Sequence, residues 1–223
     1  QAALLRYMAK YRQEAAPEQY ALLRAAADRV LAHQEELHAL QGGCIDEVRE
    51  LLLSAEGRAA HYYWRALQEI VPAEYAWPGR TGRDAQDPLN AALNYGYGIL
   101  YGQVERALLL AGLDPYAGFV HTDRPGKPSL VYDLIEPFRV PAVDRVVMAM
   151  ANKHRALQLD PWGKLDEDSR RLLADEVLER LEKPERYEGQ RRGLRVILQD
   201  QARHLTTFLR GERASYEPFT VQW

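Results

Sequence analysis

The sequence has a single cysteine, Cys44, in 223 residues. A lone thiol excludes an internal disulfide framework and a cysteine-based zinc cluster, and it points to a reducing compartment, with the cytoplasm as the expected location. Long apolar runs are missing as well: stretches such as residues 107–111 fall far short of the roughly 18 residues that a membrane helix needs. Nor is there an excess of charge of one sign. Twenty-nine Lys and Arg against 32 Asp and Glu leave a net charge of −3, so nucleic acid would have to be held by a local basic patch. The sequence contains no phosphate-cradling Gly-x-x-x-x-Gly-Lys loop, no Gly-x-Ser-x-Gly turn and no His-Glu-x-x-His helix. That removes the usual ATPase, serine-hydrolase and zinc-protease readings. No repeat with a period of 20 to 50 residues is present either.

What is present is helical periodicity over a composition that can bury a core, with 47% hydrophobic and 27% charged residues. Leu4, Leu5, Met8 and Tyr11 share one face of a first helix over residues 1–10. That segment lacks a signal-peptide layout and begins at Gln1, so a piece of a longer polypeptide is expected. Pro17 opens a second helix to about residue 40, and Asp46 and Glu47 sit in the first turn of a third that stops before Pro72. After a Pro- and Gly-rich loop, Asp87-Pro88 starts a helix to about residue 111. Further helices are expected at 129–139, 141–156, 165–183 and 189–210, with one short strand at 118–121 and an extended end at 217–223. The fold class is all-α: a multi-helix bundle spanning residues 1–223, with 165–223 supplying the C-terminal helices and tail.

Three places carry candidate chemistry. His121 lies at the end of the apolar stretch Gly118-Phe119-Val120, at the start of a loop. Twelve residues later Asp133 and Glu136 stand three apart, so both carboxylates project from one helix face. Their repulsion has to be relieved by a cation, either Arg139 or a metal. In the third helix, Glu56 follows an apolar run and precedes Gly57, where it can pair with Arg58 or Arg65 or stand open beside the glycine. Helix 87–111 contains Gly96, Gly98 and Gly102 among Tyr95, Tyr97 and Tyr101; close helix packing is the simpler explanation, and a substrate-shaping face the alternative. For phosphate contact the candidates are Arg80 and Arg83 in the loop before Asp87. Arg191 and Arg195, with Arg192, are read as one helical stripe beyond them, set against a plain solvated face.

The segments Ala55-Glu56-Gly57-Arg58-Ala59-Ala60, Asp87-Pro88-Leu89-Asn90-Ala91-Ala92-Leu93-Asn94-Tyr95-Gly96-Tyr97, Gly118-Phe119-Val120-His121 and Ser129-Leu130-Val131-Tyr132-Asp133-Leu134-Ile135-Glu136-Pro137-Phe138-Arg139 follow one another in an order that resembles Cas1, the integrase of CRISPR adaptation. The resemblance is densest over residues 54–144. It implies the helical catalytic domain of that family, with the family's N-terminal β-domain missing from this chain. It also implies one divalent metal, Mg²⁺ or Mn²⁺, held by Glu56, His121 and Glu136, with Asp133 as a further catalytic carboxylate. Glu stands at 136 where some members have Asp, which lengthens the reach by one methylene. The implied partners are double-stranded prespacer and CRISPR-repeat DNA, a second Cas1 copy, Cas2, and a fused or separate adaptation protein. The implied reaction joins the 3′-OH ends of prespacer DNA to the repeat. Two rivals stand beside it: a metal-dependent DNA endonuclease without integration, and a helical interaction module whose carboxylates are merely solvated.

Overall fold

Proline and apolar stripes set where the helices begin and which side they bury. The computed structural model describes residues 1–82, 85–122 and 124–223. Helices α1 (Ala2–Lys10), α2 (Pro17–His38) and α3 (Ile45–Gln68) build one compact unit, residues 1–81 with Trp223. Leu4, Leu5 and Ala9 of α1 are buried together with Leu23 and Ala27 of α2 and with Ala55, Tyr63 and Leu67 of α3. This is the three-to-four-residue spacing expected of amphipathic helices.

Residues 82–222 form the second unit. Its central helix, α4 (Pro88–Leu110), contacts α5 (Ser129–Arg139), α6 (Arg145–Asn152), α7 (Glu167–Glu182) and α8 (Leu194–Leu209). Asp87 caps α4 by accepting from the Asn90 amide at 2.8 Å, and Pro88 takes the first turn, where no donor is lost. Leu89, Leu93, Leu100, Val104 and Leu108 give α4 a buried spine. Of the three glycines in this helix only Gly96 serves close packing. A Cβ there would lie 2.6 Å from Val143 Cγ1, whereas one at Gly98 or Gly102 would meet nothing within 4 Å.

Pro141 does not start a new helix, as its sequence suggests. Residues Val140–Asp144 form a π-helical turn that joins α5 to α6, and α6 stops at Asn152 rather than near 156. The turn buries Asp144, which is 1% exposed and accepts a hydrogen bond from the Tyr97 hydroxyl at 2.5 Å. Tyr97→Phe removes that donor from a buried carboxylate. We expect a loss of about 1–3 kcal/mol, read as a fall of several degrees in Tm by calorimetry.

Two further expectations are corrected. Residues 118–121 are not a strand, because their amides are used by a side chain described below. The expected helix 189–210 begins only at Leu194: residues before it form a hairpin of β1 (Pro184–Tyr187) and β2 (Gln190–Gly193), antiparallel with Arg186 opposite Arg191. Glu188 and Gly189 link the strands with φ of 47° and 75°. Two left-handed residues in succession make the tight turn that suits the twist of a hairpin and stop a helix from forming through them. The class is nonetheless all-α, since this hairpin is the sole strand ladder among the described residues. No described helix is long and apolar enough to cross a membrane.

Candidate active site

Asp133 lies in the second turn of α5 and organises the loop before that helix. Its Oδ2 accepts from the amides of Phe119 at 2.6 Å and Val120 at 3.0 Å. Its Oδ1 accepts from the His121 amide at 3.0 Å and faces His121 Nδ1 at 2.7 Å. Four contacts to one carboxylate explain why residues 119–121 pair with no strand: their donors are already used. Gly118 permits the approach, since a Cβ there would lie 2.5 Å from the His121 carbonyl oxygen and 2.6 Å from Ser129 Cβ. Ser129 Oγ, donating to the Thr122 carbonyl at 3.0 Å, fastens the far end of the loop.

One turn on, Glu136 faces a different partner. Arg139 Nε donates to Glu136 Oε1 at 2.8 Å, and the same guanidinium donates to the Tyr101 hydroxyl at 3.3 Å. Its Cζ stands 5.0 Å from the Tyr97 ring centroid and 5.8 Å from that of Tyr101. Burial works to lower the pKa of Arg139, but the Glu136 carboxylate and the tyrosines outweigh it, so Arg139 is held above its ordinary range. Burial also raises the Tyr101 phenol, against the pull of Arg139. Tyr132 completes the wall, with its ring edge-on to Tyr101 at 5.3 Å and to His121 at 5.6 Å.

The i,i+3 carboxylates therefore have separate roles. Asp133, with a side chain 12% exposed, holds and orients His121, while Glu136, 37% exposed, is aligned by Arg139. The ion pair considered from sequence is present, between Glu136 and Arg139. Tyr97 and Tyr101 stood out in the sequence only as a possible substrate-shaping face, and Tyr132 went unassigned; the signal that could have tied the first two to this site is their four-residue spacing on one helix.

A hard divalent cation suits this donor chemistry. His121 Nδ1 is engaged by Asp133, so Nε2 is the ring nitrogen left for a ligand, the arrangement of carboxylate–histidine–metal relays. Glu136 adds an oxygen donor. Among the described residues no three His, Cys, Asp or Glu side chains are grouped closely enough to hold an ion. Glu56, in α3 of the first unit, is exposed and has no ion-pair partner among the described residues; Arg58 pairs with Glu36 instead. Beside it, a Cβ at Gly57 would meet nothing within 4 Å.

The arginines singled out for phosphate contact do not share one face. Arg191 and Arg192 are consecutive residues of β2 and point to opposite sides of the hairpin, whereas Arg195 lies on α8. Arg192 pairs with Asp200 at 2.8 Å and Arg195 with Glu182 at 2.6 Å. The helical stripe read from sequence is thus corrected, because Gly189 turns the chain where a helix was expected. Arg80 lies over the Trp64 ring at 5.8 Å, and Arg83 lies outside the described residues.

The chain matches the family model described as CRISPR associated protein Cas1 over residues 1–180. It is 41% identical to a CRISPR-associated endonuclease Cas1 of Archaeoglobus fulgidus, with all of this chain aligned to 68% of that protein. It is 39% identical to the Cas1 endonuclease of Hyperthermus butylicus, with 99% of this chain aligned to 64% of it. The chain thus spans about two thirds of the length of these relatives. Among solved structures, a casposase bound to integration product superposes with a TM-score of 0.75 at 25% identity, over 97% of this chain and 67% of that one. The fold is also shared with a partial Cas6-RT-Cas1–Cas2 complex, with a TM-score of 0.77 at 20% identity over all of this chain and 67% of the other. Matched along most of its length by sequence and by fold, the chain belongs to the Cas1 family.

Proposed function

We propose that this chain carries the catalytic part of a metal-dependent DNA integrase of CRISPR adaptation, which joins the 3′-OH ends of prespacer DNA to the CRISPR repeat. The observation that carries the reading is the Asp133 clasp, in which a part-buried carboxylate takes three backbone amides and faces one imidazole nitrogen of His121. The DNA partner draws further support from the casposase neighbour, which is bound to integration product. A Cas2 partner draws support from the Cas1–Cas2 complex. Homodimer formation and a fused or separate adaptation protein remain part of the same proposal.

Glu56, His121 and Glu136 would hold Mg²⁺ or Mn²⁺, with Asp133 behind the histidine. When bound, the ion supplies Lewis-acid stabilisation of charge on a phosphoryl oxygen. The protein's own side chains do the positioning. Asp133 keeps His121 in the tautomer that leaves Nε2 available, and Arg139 fixes the direction of the Glu136 carboxylate. Tyr132 packs edge-on against His121, and Tyr101 packs against Tyr132 and accepts from Arg139. In the reaction one phosphodiester of the repeat breaks as one to the incoming 3′-oxygen forms. The attacking hydroxyl loses a proton and the departing oxygen gains one. Bond count is conserved, so no covalent enzyme intermediate and no energy source are required.

The names of the relatives favour one second reading, hydrolysis with water in place of the 3′-hydroxyl. Incubation of the protein with a prespacer duplex, supercoiled repeat DNA and Mn²⁺ separates the two. Integration yields prespacer covalently joined to plasmid, and hydrolysis yields nicked or linear plasmid alone. If neither product forms, and Mn²⁺ leaves Tm unchanged, the non-catalytic interaction module is the better account.

A further inference from the structure

The two faces of the β1–β2 hairpin are charged in opposite ways. On the inner face Glu185 stands opposite Arg192 in the ladder. Glu185 is 8% exposed, ion-paired to Arg180 and 3.5 Å from Arg145, while Arg192 reaches Asp200 at 2.8 Å. Every charge on that side has a counter-charge, and the hairpin is anchored by it. On the outer face Arg186 stands opposite Arg191. Both are exposed, and neither guanidinium has an ion-pair or hydrogen-bond partner among the described residues.

Like charges placed directly opposite each other in a ladder are unfavourable. The register makes this pair a close one. In a hairpin with a two-residue turn the closing pair, Tyr187 and Gln190, exchanges the hydrogen bonds. The next pair is then non-hydrogen-bonded, the arrangement in which cross-strand side chains approach most nearly, with Cβ atoms about 4.5–5.5 Å apart. Two planar guanidinium forks at that separation can grip one anion from both sides. The surroundings add to the site. Arg186 lines a groove of about 440 Å³ together with Tyr187, His204, Arg213, Ser215 and Glu217. Arg213 is held 3.6 Å from Glu188 in the hairpin turn.

We infer that the outer face of this hairpin is a phosphate clamp, in which Arg186 and Arg191 together take one or two backbone phosphates of a DNA strand. The inference rests on the DNA-binding reading above and extends it to a surface formed by neither His121 nor Glu136. It assigns Arg191 a partner, Arg186, across the ladder rather than along a helix.

The test measures the anisotropy of a labelled DNA duplex across a salt series, without divalent metal, for the full chain and for the R186A/R191A and R191E variants. Phosphate contacts release counterions, so the slope of log affinity against log salt should shrink by about one to two in the double variant. R191E restores opposite charges across the ladder. It should therefore weaken DNA binding while leaving Tm unchanged or raised, a combination that a merely structural arginine would not produce. Unchanged affinity and slope in both variants overturns the clamp alone. Failure of the unaltered chain to bind DNA at any salt overturns both the clamp and the integrase reading. A Tm rise with inorganic phosphate that matches the rise with duplex, and disappears in R186A/R191A, would assign the site to free phosphate and overturn the phosphodiester assignment.

Discussion

Alanine at Glu56, His121 or Glu136 is expected to reduce strand transfer to background while the helices stay folded. Each substitution removes a ligand from the ion that the proposed reaction depends on. A bound cation is worth several kcal/mol of charge stabilisation in phosphoryl chemistry. At about 1.36 kcal/mol per decade, the loss amounts to roughly a thousandfold or more in rate. The structural cost is small and differs by site. Glu56 is exposed and pairs with nothing described, so its removal should stay within about 0.5 kcal/mol. His121 leaves behind a loop whose three amides still donate to Asp133. Glu136→Ala takes a partner from Arg139, which keeps Tyr101, and about 1 kcal/mol is the expected scale. Strand-transfer products resolved on a gel, with helix content followed by circular dichroism, check all three. Wild-type integration in any one of them removes that residue from the site.

The second large effect falls on a residue that need not touch the metal. Asp133→Asn replaces one carboxylate oxygen with an amide that donates, so it turns a donor toward amides that need an acceptor. Either Phe119 and Val120 or His121 lose their partner, at about 1–3 kcal/mol for an unsatisfied group in a half-buried loop. The tautomer of His121 is released at the same time. Loss of such an outer partner costs about 10- to 100-fold in metal affinity. The expected result is a lower Tm together with weaker Mn²⁺ binding by calorimetry. His121→Ala, by contrast, should weaken metal binding with little change in Tm. Equal Mn²⁺ affinity in Asp133→Asn and wild type would mean that the clasp is structural only.

Helix positions were legible in the sequence wherever a stripe and a stop signal coincided. Pro17, Asp87-Pro88 and the leucines of α4 placed their helices to within a residue or two. What failed was the carboxy-terminal side of the second unit. Arg191, Arg192 and Arg195 follow a helical spacing, and nothing in their local pattern shows that Glu188 and Gly189 adopt left-handed conformations that turn the chain back on itself. The burial of Glu185 by Arg180 and Arg145 is a tertiary effect, and it is what fixes the hairpin.

The candidate site was legible as a set of residues but not as a set of roles. Asp133 and Glu136 look equivalent at i,i+3 on one face. They diverge because the loop 118–121 folds back onto the first turns of α5 and uses the nearer carboxylate for its own amides. Local sequence carries no signal for that return except Gly118, the one residue that could lie so close to Ser129. The tyrosine wall was half visible: Tyr97 and Tyr101 stood out among glycines, but the arginine that they enclose comes 38 residues after Tyr101.

Crystals of the full chain soaked in Mn²⁺ and measured at the manganese absorption edge put the account to its hardest trial. A single dication shared by side chains from distant parts of the sequence predicts one anomalous peak per chain, with Glu56, a nitrogen of His121 and Glu136 all at about 2.0–2.2 Å from it. A peak that leaves out Glu56, or no peak near His121 at all, would contradict it.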